Sequence, residues 1–335
     1  MKTYVGVDYH KAFSYATVMN DEGQVLKQGR VANSPQAVAA FLDGYGGADC
    51  AAVLEATRCW ELMHEWLDEQ CGRVVLAHPL KLRAIAEASV KTDKIDATTL
   101  ATLLRADLIP AAHVGTPEAR LLRRVLRHRL FLVRVRTMVK NRLHDLIDRY
   151  ATRVPRRPVA ELFSKAGLAW LRALTLDEHD QVILESELEL LEHLGEQIGR
   201  IEGVLMQLGR RDERLARLLT IPGVGRTVGL VLLAEIDQIE RFKTPAKLHA
   251  YAGLVPRVHA SGGRVWHGRL VGACNKWLCW ALIEAVWPAV RADAPLRAFY
   301  ERVARRKGAN TAKVATARRL LTIAYRVLTQ RREYR

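Results

Sequence analysis

Residues 3–9 (TYVGVDY), 14–21 (SYATVMND) and 23–32 (GQVLKQGRVA) place apolar side chains at nearly every second position, with the turns HKAF and NDEG between them. That period predicts three strands in a meander. SPQAVAAFLDGYG, from Ser34, opens on a Ser-Pro start and shifts to a helical period. Strand and helix then alternate: CAAVLEAT (50–57) reads as a buried strand, WELMHEWLDEQC (60–71) as an amphipathic helix and RVVLAHP (73–79) as a strand. LKLRAIAEA (80–88) and DKIDATTLATLLRADL (93–108) read as helices. Three meandering strands followed by βαβ units predict an α/β layered domain on a mixed sheet over residues 1–116.

The pattern changes at Pro117. Leu121, Leu122, Val125, Leu126, Leu130, Val133, Met138 and Leu143 recur at helical spacing in an arginine-rich run. A second run, 177–209, carries Ile183, Leu184, Leu188, Leu191, Leu194, Ile198, Ile201 and Leu205 among acids. Two long helices of opposite charge, separated by VPRRPV and a shorter helical stretch, predict an antiparallel coiled coil or helical hairpin over 117–215. The remaining segment, 216–335, reads as mainly α. LLTIPGVGRTVGLVLLAEI (218–236) is helix, tight turn, helix; Gly223 and Gly225 permit the turn and leave N–H groups at the second helix's start able to hold a phosphate. This stretch resembles a helix-hairpin-helix element. HAYAGLVPRVHASGGRVWHGRL follows with a glycine-rich loop, then an aromatic helix and a basic tail.

Charge adds a partner class. The chain has a formal net charge of +16 and a pI near 9.9. Residues 117–158 hold 13 basic and 3 acidic side chains, and residues 256–335 hold 17 and 4. The rest of the chain is slightly acidic. Two separate basic blocks point to phosphate backbones. No apolar run approaches the roughly 18 residues of a membrane span, and the N-terminus becomes charged too soon for a signal peptide, so a cytoplasmic protein without a membrane partner is expected. Five cysteines without a C-x-x-C pair predict neither a disulfide framework nor a zinc ribbon, only small buried apolar residues.

Four acids stand out. Asp93 and Asp96 lie three residues apart at the start of a helix, so they share a face. Asp8 lies inside the first strand between Val7 and Tyr9, and Glu55 ends the fourth after Val53 and Leu54. A carboxylate in a buried strand needs compensation of its charge, and a divalent cation compensates it. Four converging carboxylates match the oxygen-rich shell of Mg2+, with Mn2+ as an alternative, and two such ions about 4 Å apart promote phosphoryl transfer. Ser261 in HASGGR stands beside Gly262 and Gly263, in what reads from its own residues as a polar turn. Arg257, Arg264, His267 and Arg269 surround it in sequence as phosphate contacts, and Lys94 and Lys91 flank the acids.

The order of elements 1–116 resembles a RuvC-like, ribonuclease H-like domain. GVDYHK, LEAT, HPLKLRAIAEASVKTDKIDATTLATLL and LHAYAGLVPRVHASGGRVWHGRL together resemble the DEDD transposases of insertion-sequence family one-ten, relatives of the Piv-type DNA invertases. The resemblance implies a magnesium-binding Holliday-junction-resolvase-like domain with Asp8, Glu55, Asp93 and Asp96 as its acids. It also implies a C-terminal transposase domain with Ser261 as nucleophile, a noncoding bridge RNA that pairs with donor and target DNA, and assembly as a dimer to tetramer. Two other readings stay open: a resolvase-like nuclease working through a metal-activated water, and a nucleic-acid-binding scaffold without catalysis.

Overall fold

A computed structural model describes residues 2–57, 59–85, 92–155, 159–262 and 264–334, with the side chains of Val258, Ala260, Ser261, Val265 and His267 outside the description. The chain divides into two compact units, Met1–Val114 and Gly115–Arg335.

In the first unit, β1 (Thr3–Tyr9), β2 (Phe13–Asn20), β3 (Val25–Ala32), β4 (Gly47–Glu55) and β5 (Cys71–Ala77) form one sheet in the order β3-β2-β1-β4-β5. β1 pairs antiparallel with β2 and parallel with β4, so the sheet is mixed, as its sequence pattern predicts. β1 is the centre, and its alternation sorts its residues between two layers. Val5 and Val7 join Ala52, Leu54, Met63 and Leu67 in one core, under α1 (Pro35–Leu42) and α2 (Trp60–Asp68). On the opposite face Val53 and Val75 pack with Leu82 of α3 (Pro79–Arg83) and with Leu100 and Leu104 of α4 (Asp93–Arg105). The expected helix 80–88 is described only as far as α3, and residues 86–90 lie outside the described set.

The second unit is mainly helical. α5 (Pro117–Arg149) and α7 (Glu178–Gly209) pack along their lengths, with the short α6 (Lys165–Arg172) between them in sequence. Their cross-links give an antiparallel register: Arg129 to Glu202 at 2.6 Å, Arg142 to Glu187, and Tyr150 to Asp180 at 2.7 Å. The expected seam is corrected in part. Leu126, Leu130, Leu143 and Leu184 are buried, but Met138 is 63% exposed and Ile183 is 42% exposed, while Leu132, Val139 and Leu146 are buried in addition. The helical segment 117–215 and the segment 216–335, distinct in sequence character, fall in one compact unit because Leu126 of α5 and Leu205 of α7 enter the core of the following helices.

That core is built by α8 (Glu213–Leu219), α9 (Arg226–Ile236), α10 (Pro245–Tyr251), α11 (Lys276–Ala292), α12 (Ala294–Lys307) and α13 (Ala309–Gln330). A buried polar network fastens it. Glu235 of α9, 4% exposed, lies 3.5 Å from Arg123 Nε and 3.3 Å from Arg127, and accepts a 2.7 Å hydrogen bond from Asn275, whose own Oδ1 caps α11. Of the five cysteines, Cys50 and Cys71 are buried and in mutual contact, Sγ to Sγ 3.0 Å. Cys59 is exposed and Cys274 and Cys279 are half-buried, so the uniform burial expected of them does not hold. Among the described residues no helix is long and apolar enough to cross a membrane.

Candidate active site

The acids of the first unit converge through ordinary element geometry. Asp8 follows Gly6 at a two-residue interval on β1, and Glu55 follows Val53 on β4, so both acids lie on the α4 face of the sheet. The parallel register pairs Val7 with Leu54, and the next step along both strands is Asp8 and Glu55. α4 comes close enough to complete the set because Gly6 has no side chain: a Cβ there would overlap the Ala97 carbonyl oxygen and lie 2.5 Å from the Ala101 nitrogen. The helix N-cap is Thr92, whose hydroxyl accepts from the Ile95 N–H at 3.3 Å. Capping therefore does not occupy Asp93 or Asp96, which sit in the first turn.

One residue of the site was not singled out from the sequence. His10 Nε2 is 3.0 Å from Asp8 Oδ2 and 3.3 Å from Asp93 Oδ1. Asp8, His10 and Asp93 each offer a ligand atom, all within 4.8 Å of one another. The signal was the D-x-H spacing in VDYHK, since residues two apart at a strand end share a face. Burial pushes the Asp8 carboxyl above its ordinary value; His10 pulls it back by charge and hydrogen bond, and Asp96 and Asp93 push it up again. Asp96 is thus close enough to act on Asp8 electrostatically, although it and Glu55 stand outside the tight three-residue cluster. Half-buried carboxylates that repel one another are the donor set a hard divalent cation satisfies. Lys94 is exposed on α4, and Lys91 lies outside the described residues.

The second unit presents Ser261 differently. What reads in sequence as a glycine-rich loop is a hairpin: β6 (Pro256–Ser261) pairs antiparallel with β7 (Arg264–Leu270), and Ser261 and Arg264 are the last pair of the ribbon. Gly262 has φ +55°, which glycine adopts without strain. The alternation in PRVHAS and RVWHGRL around two glycines carried this signal. Arg257, Arg264 and Arg269 are exposed on the hairpin, and His259 stacks on Trp266 with ring centroids 5.5 Å apart. The Ser261 and His267 side chains lie outside the described set.

The IPGVG turn joins α8 to α9. Gly223, at φ +81°, packs so tightly on α11 that a Cβ would overlap the Ala285 carbonyl oxygen, so its glycine is required by packing. Gly225 is exposed and begins α9 without a side-chain cap.

Comparison with known proteins gives these two regions a common frame. The DEDD transposase domain of IS110 type matches residues 5–152, and the domain described as Transposase IS116/IS110/IS902 family matches residues 215–301. A probable family 20 transposase of Pseudomonas aeruginosa is 27% identical over 276 residues, covering 78% of this chain and 80% of its own. The transposase for insertion sequence element IS1111A of Coxiella burnetii is 27% identical, covering 74% and 69%. A pilin gene-inverting protein of Moraxella bovis is 24% identical across 99% of this chain and 98% of its own. A DEDD-type domain implies divalent metal use, and the Asp8, His10 and Asp93 cluster lies inside the matched region.

Proposed function

Proceeding from a chain that belongs to the IS110/IS116/IS902 family of insertion-sequence transposases, we propose that it is a DNA recombinase that cuts and rejoins strands through a Ser261 nucleophile, with Asp8, Glu55, Asp93 and Asp96 holding Mg2+. The observation that carries this reading is the cluster of Asp8, His10 and Asp93, their ligand atoms within 4.8 Å, with Asp96 close enough to act on Asp8 and Glu55 one step past the Val7–Leu54 pair. A bound divalent ion supplies charge neutralisation at the scissile phosphate and acidifies an attacking hydroxyl. The four acids bind it, and His10 orients Asp8 and Asp93 through its contacts to both.

Ser261 attacks phosphorus through Oγ, forming a serine–phosphate ester as the bond to the leaving DNA oxygen breaks; the serine proton ends on that oxygen. Rejoining reverses the step with a new DNA hydroxyl, so no high-energy cofactor is consumed. Arg257, Arg264, His267 and Arg269 contact phosphates near the serine, Lys94 does so beside the acids, and the turn at Gly223 and Gly225 contacts the DNA backbone. A noncoding bridge RNA supplies sequence choice by pairing with donor and target DNA, and the α5–α7 hairpin serves assembly of a homo-oligomer.

The test is joining of a donor and a target plasmid with the element's flanking noncoding DNA supplied. Wild type is expected to join them, and Ser261→Ala and Asp8→Ala to fail while still binding nucleic acid. Undiminished joining by Ser261→Ala eliminates the serine nucleophile. Cutting without rejoining in wild type points instead to a metal-activated water.

A further inference from the structure

The second unit contains a cleft of about 1100 Å3 from which the proposed reaction uses one residue, Arg269. It is larger than the roughly 300–1000 Å3 of ordinary small-molecule sites. Its walls come from α10, α12, α13 and the base of the β6–β7 hairpin, and α13 lies beyond residue 301, outside both matched domains. Five cations line it, Arg269, Lys307, Arg318, Arg319 and Arg326, and no carboxylate does among the described residues. Its apolar floor is Leu254, Leu296, Phe299, Val314 and Ile323.

One of the cations is held in place. Arg318 Nε donates to His249 Nδ1 at 3.2 Å, which leaves the imidazole proton on Nε2, facing Thr322 Oγ1 at 2.9 Å. Thr322 in turn donates to the Arg318 carbonyl at 3.1 Å. His249 is 6% exposed, and burial, aided by Arg318, lowers it to about 4, so it remains a neutral acceptor. The terminal nitrogens of Arg318 have no protein acceptor among the described residues. The exposed Arg319 lies with its guanidinium over the Phe299 ring, 4.8 Å from the centroid, and the Arg302 guanidinium lies 5.6 Å from the same centroid, so the ring and its cations form one cation–aromatic cluster. A second cavity of about 660 Å3 shares Ile323, Arg326 and Tyr334 with the first and adds Arg217, Arg331 and Arg332, against a single carboxylate among the described residues, Glu333.

We propose that this cleft seats an unpaired nucleic-acid strand, with Lys307, Arg318, Arg319 and Arg326 on successive phosphates and a base against Phe299. A duplex offers phosphates to the cations but keeps its bases stacked inside, leaving the apolar floor without a partner. An unpaired strand satisfies both, since every base has a π face that stacks on aromatic rings and guanidinium planes. The continuation past Arg326 gives the strand a path longer than a mononucleotide needs.

The inference rests on the nucleic-acid part of the function proposed above and not on its chemistry, so it is tested by binding of the full chain in EDTA, with no cleavage. The probes are labelled 15-nucleotide RNA and DNA strands of one sequence and the matching DNA duplex, titrated between 50 and 200 mM salt. Arg318→Ala/Arg319→Ala is expected to weaken binding of single strands about tenfold or more. It is also expected to reduce the log–log salt slope by roughly 1.4, about 0.7 per lost contact. Phe299→Ala is expected to cost about tenfold with an unchanged slope, and Phe299→Tyr to restore binding. Duplex binding is expected to change little, and the tighter of the RNA and DNA arms identifies the strand. Single-strand affinity and slope untouched in both variants, or competition by poly-glutamate or a mononucleotide as good as by a strand, overturns the cleft; retained salt-sensitive binding then leaves the proposed function standing. Loss of all nucleic-acid binding by wild type defeats both.

Discussion

The acid site and the serine hairpin are positioned by opposite means. Asp8, Glu55, Asp93 and Asp96 stand on two neighbouring central strands and a helix, fixed by buried contacts such as the meeting of Gly6 with α4. Ser261 ends a two-stranded ribbon on which Arg257, His259, Arg264, Trp266 and Arg269 are all exposed. A cluster of like charges needs a frame stiff enough to hold it against repulsion. The nucleophile role proposed for Ser261 makes no such demand. The frame and the ribbon should therefore respond differently to injury.

The largest effect is expected where the helical unit has its own stiff element. Glu235→Ala leaves Arg123 and Asn275 without their buried partner and is expected to cost about 3–5 kcal/mol in urea unfolding. A loss below about 1 kcal/mol would show the helical core to be as tolerant as the hairpin it carries. Next comes Gly6→Ala, expected to cost about 3 kcal/mol, because the new methyl must displace the backbone of α4. The same variant should weaken metal binding, measured by titration of Mn2+, by separating Asp93 from Asp8.

Acid should also separate the two units. The folded pKa of His249 lies below the unfolded value, so its contribution is present above pH 6.5 and is lost as pH falls from about 6.5 toward about 4. That part amounts to at most about 3 kcal/mol, and a flatter Tm–pH profile in His249→Gln is the check. The smallest change is expected from Gly262→Ala. Its backbone sits at φ +55° with nothing near the new methyl, so about 1 kcal/mol of local strain is the whole cost. A Tm loss equal to that of Gly6→Ala would erase the distinction between frame and ribbon.

Sequence pattern alone was enough to draw most of the first unit. Period-two alternation located β1 to β3, and acids in apolar strands located Asp8 and Glu55, because a misplaced charge is conspicuous. The family motifs carried Ser261. His10 escaped because a histidine after a strand carries no such conflict. Gly6 escaped because its necessity comes from Ala97 and Ala101, some ninety residues away in sequence. The hairpin of Ser261 read as a loop because its two glycines outweighed the short alternation on either side. The single unit formed by α5 to α13 was invisible for a related reason: charge separates the segments, whereas Leu126 and Leu205 unite them.

The α5–α7 pair has a consequence of scale. Thirty-three helical residues at 1.5 Å each make α5 a rod about 50 Å long, braced along its length by an oppositely charged partner. DNA advances about 3.4 Å per base pair, so the rod spans roughly 15 base pairs. Its two ends therefore lie about one and a half turns of the double helix apart.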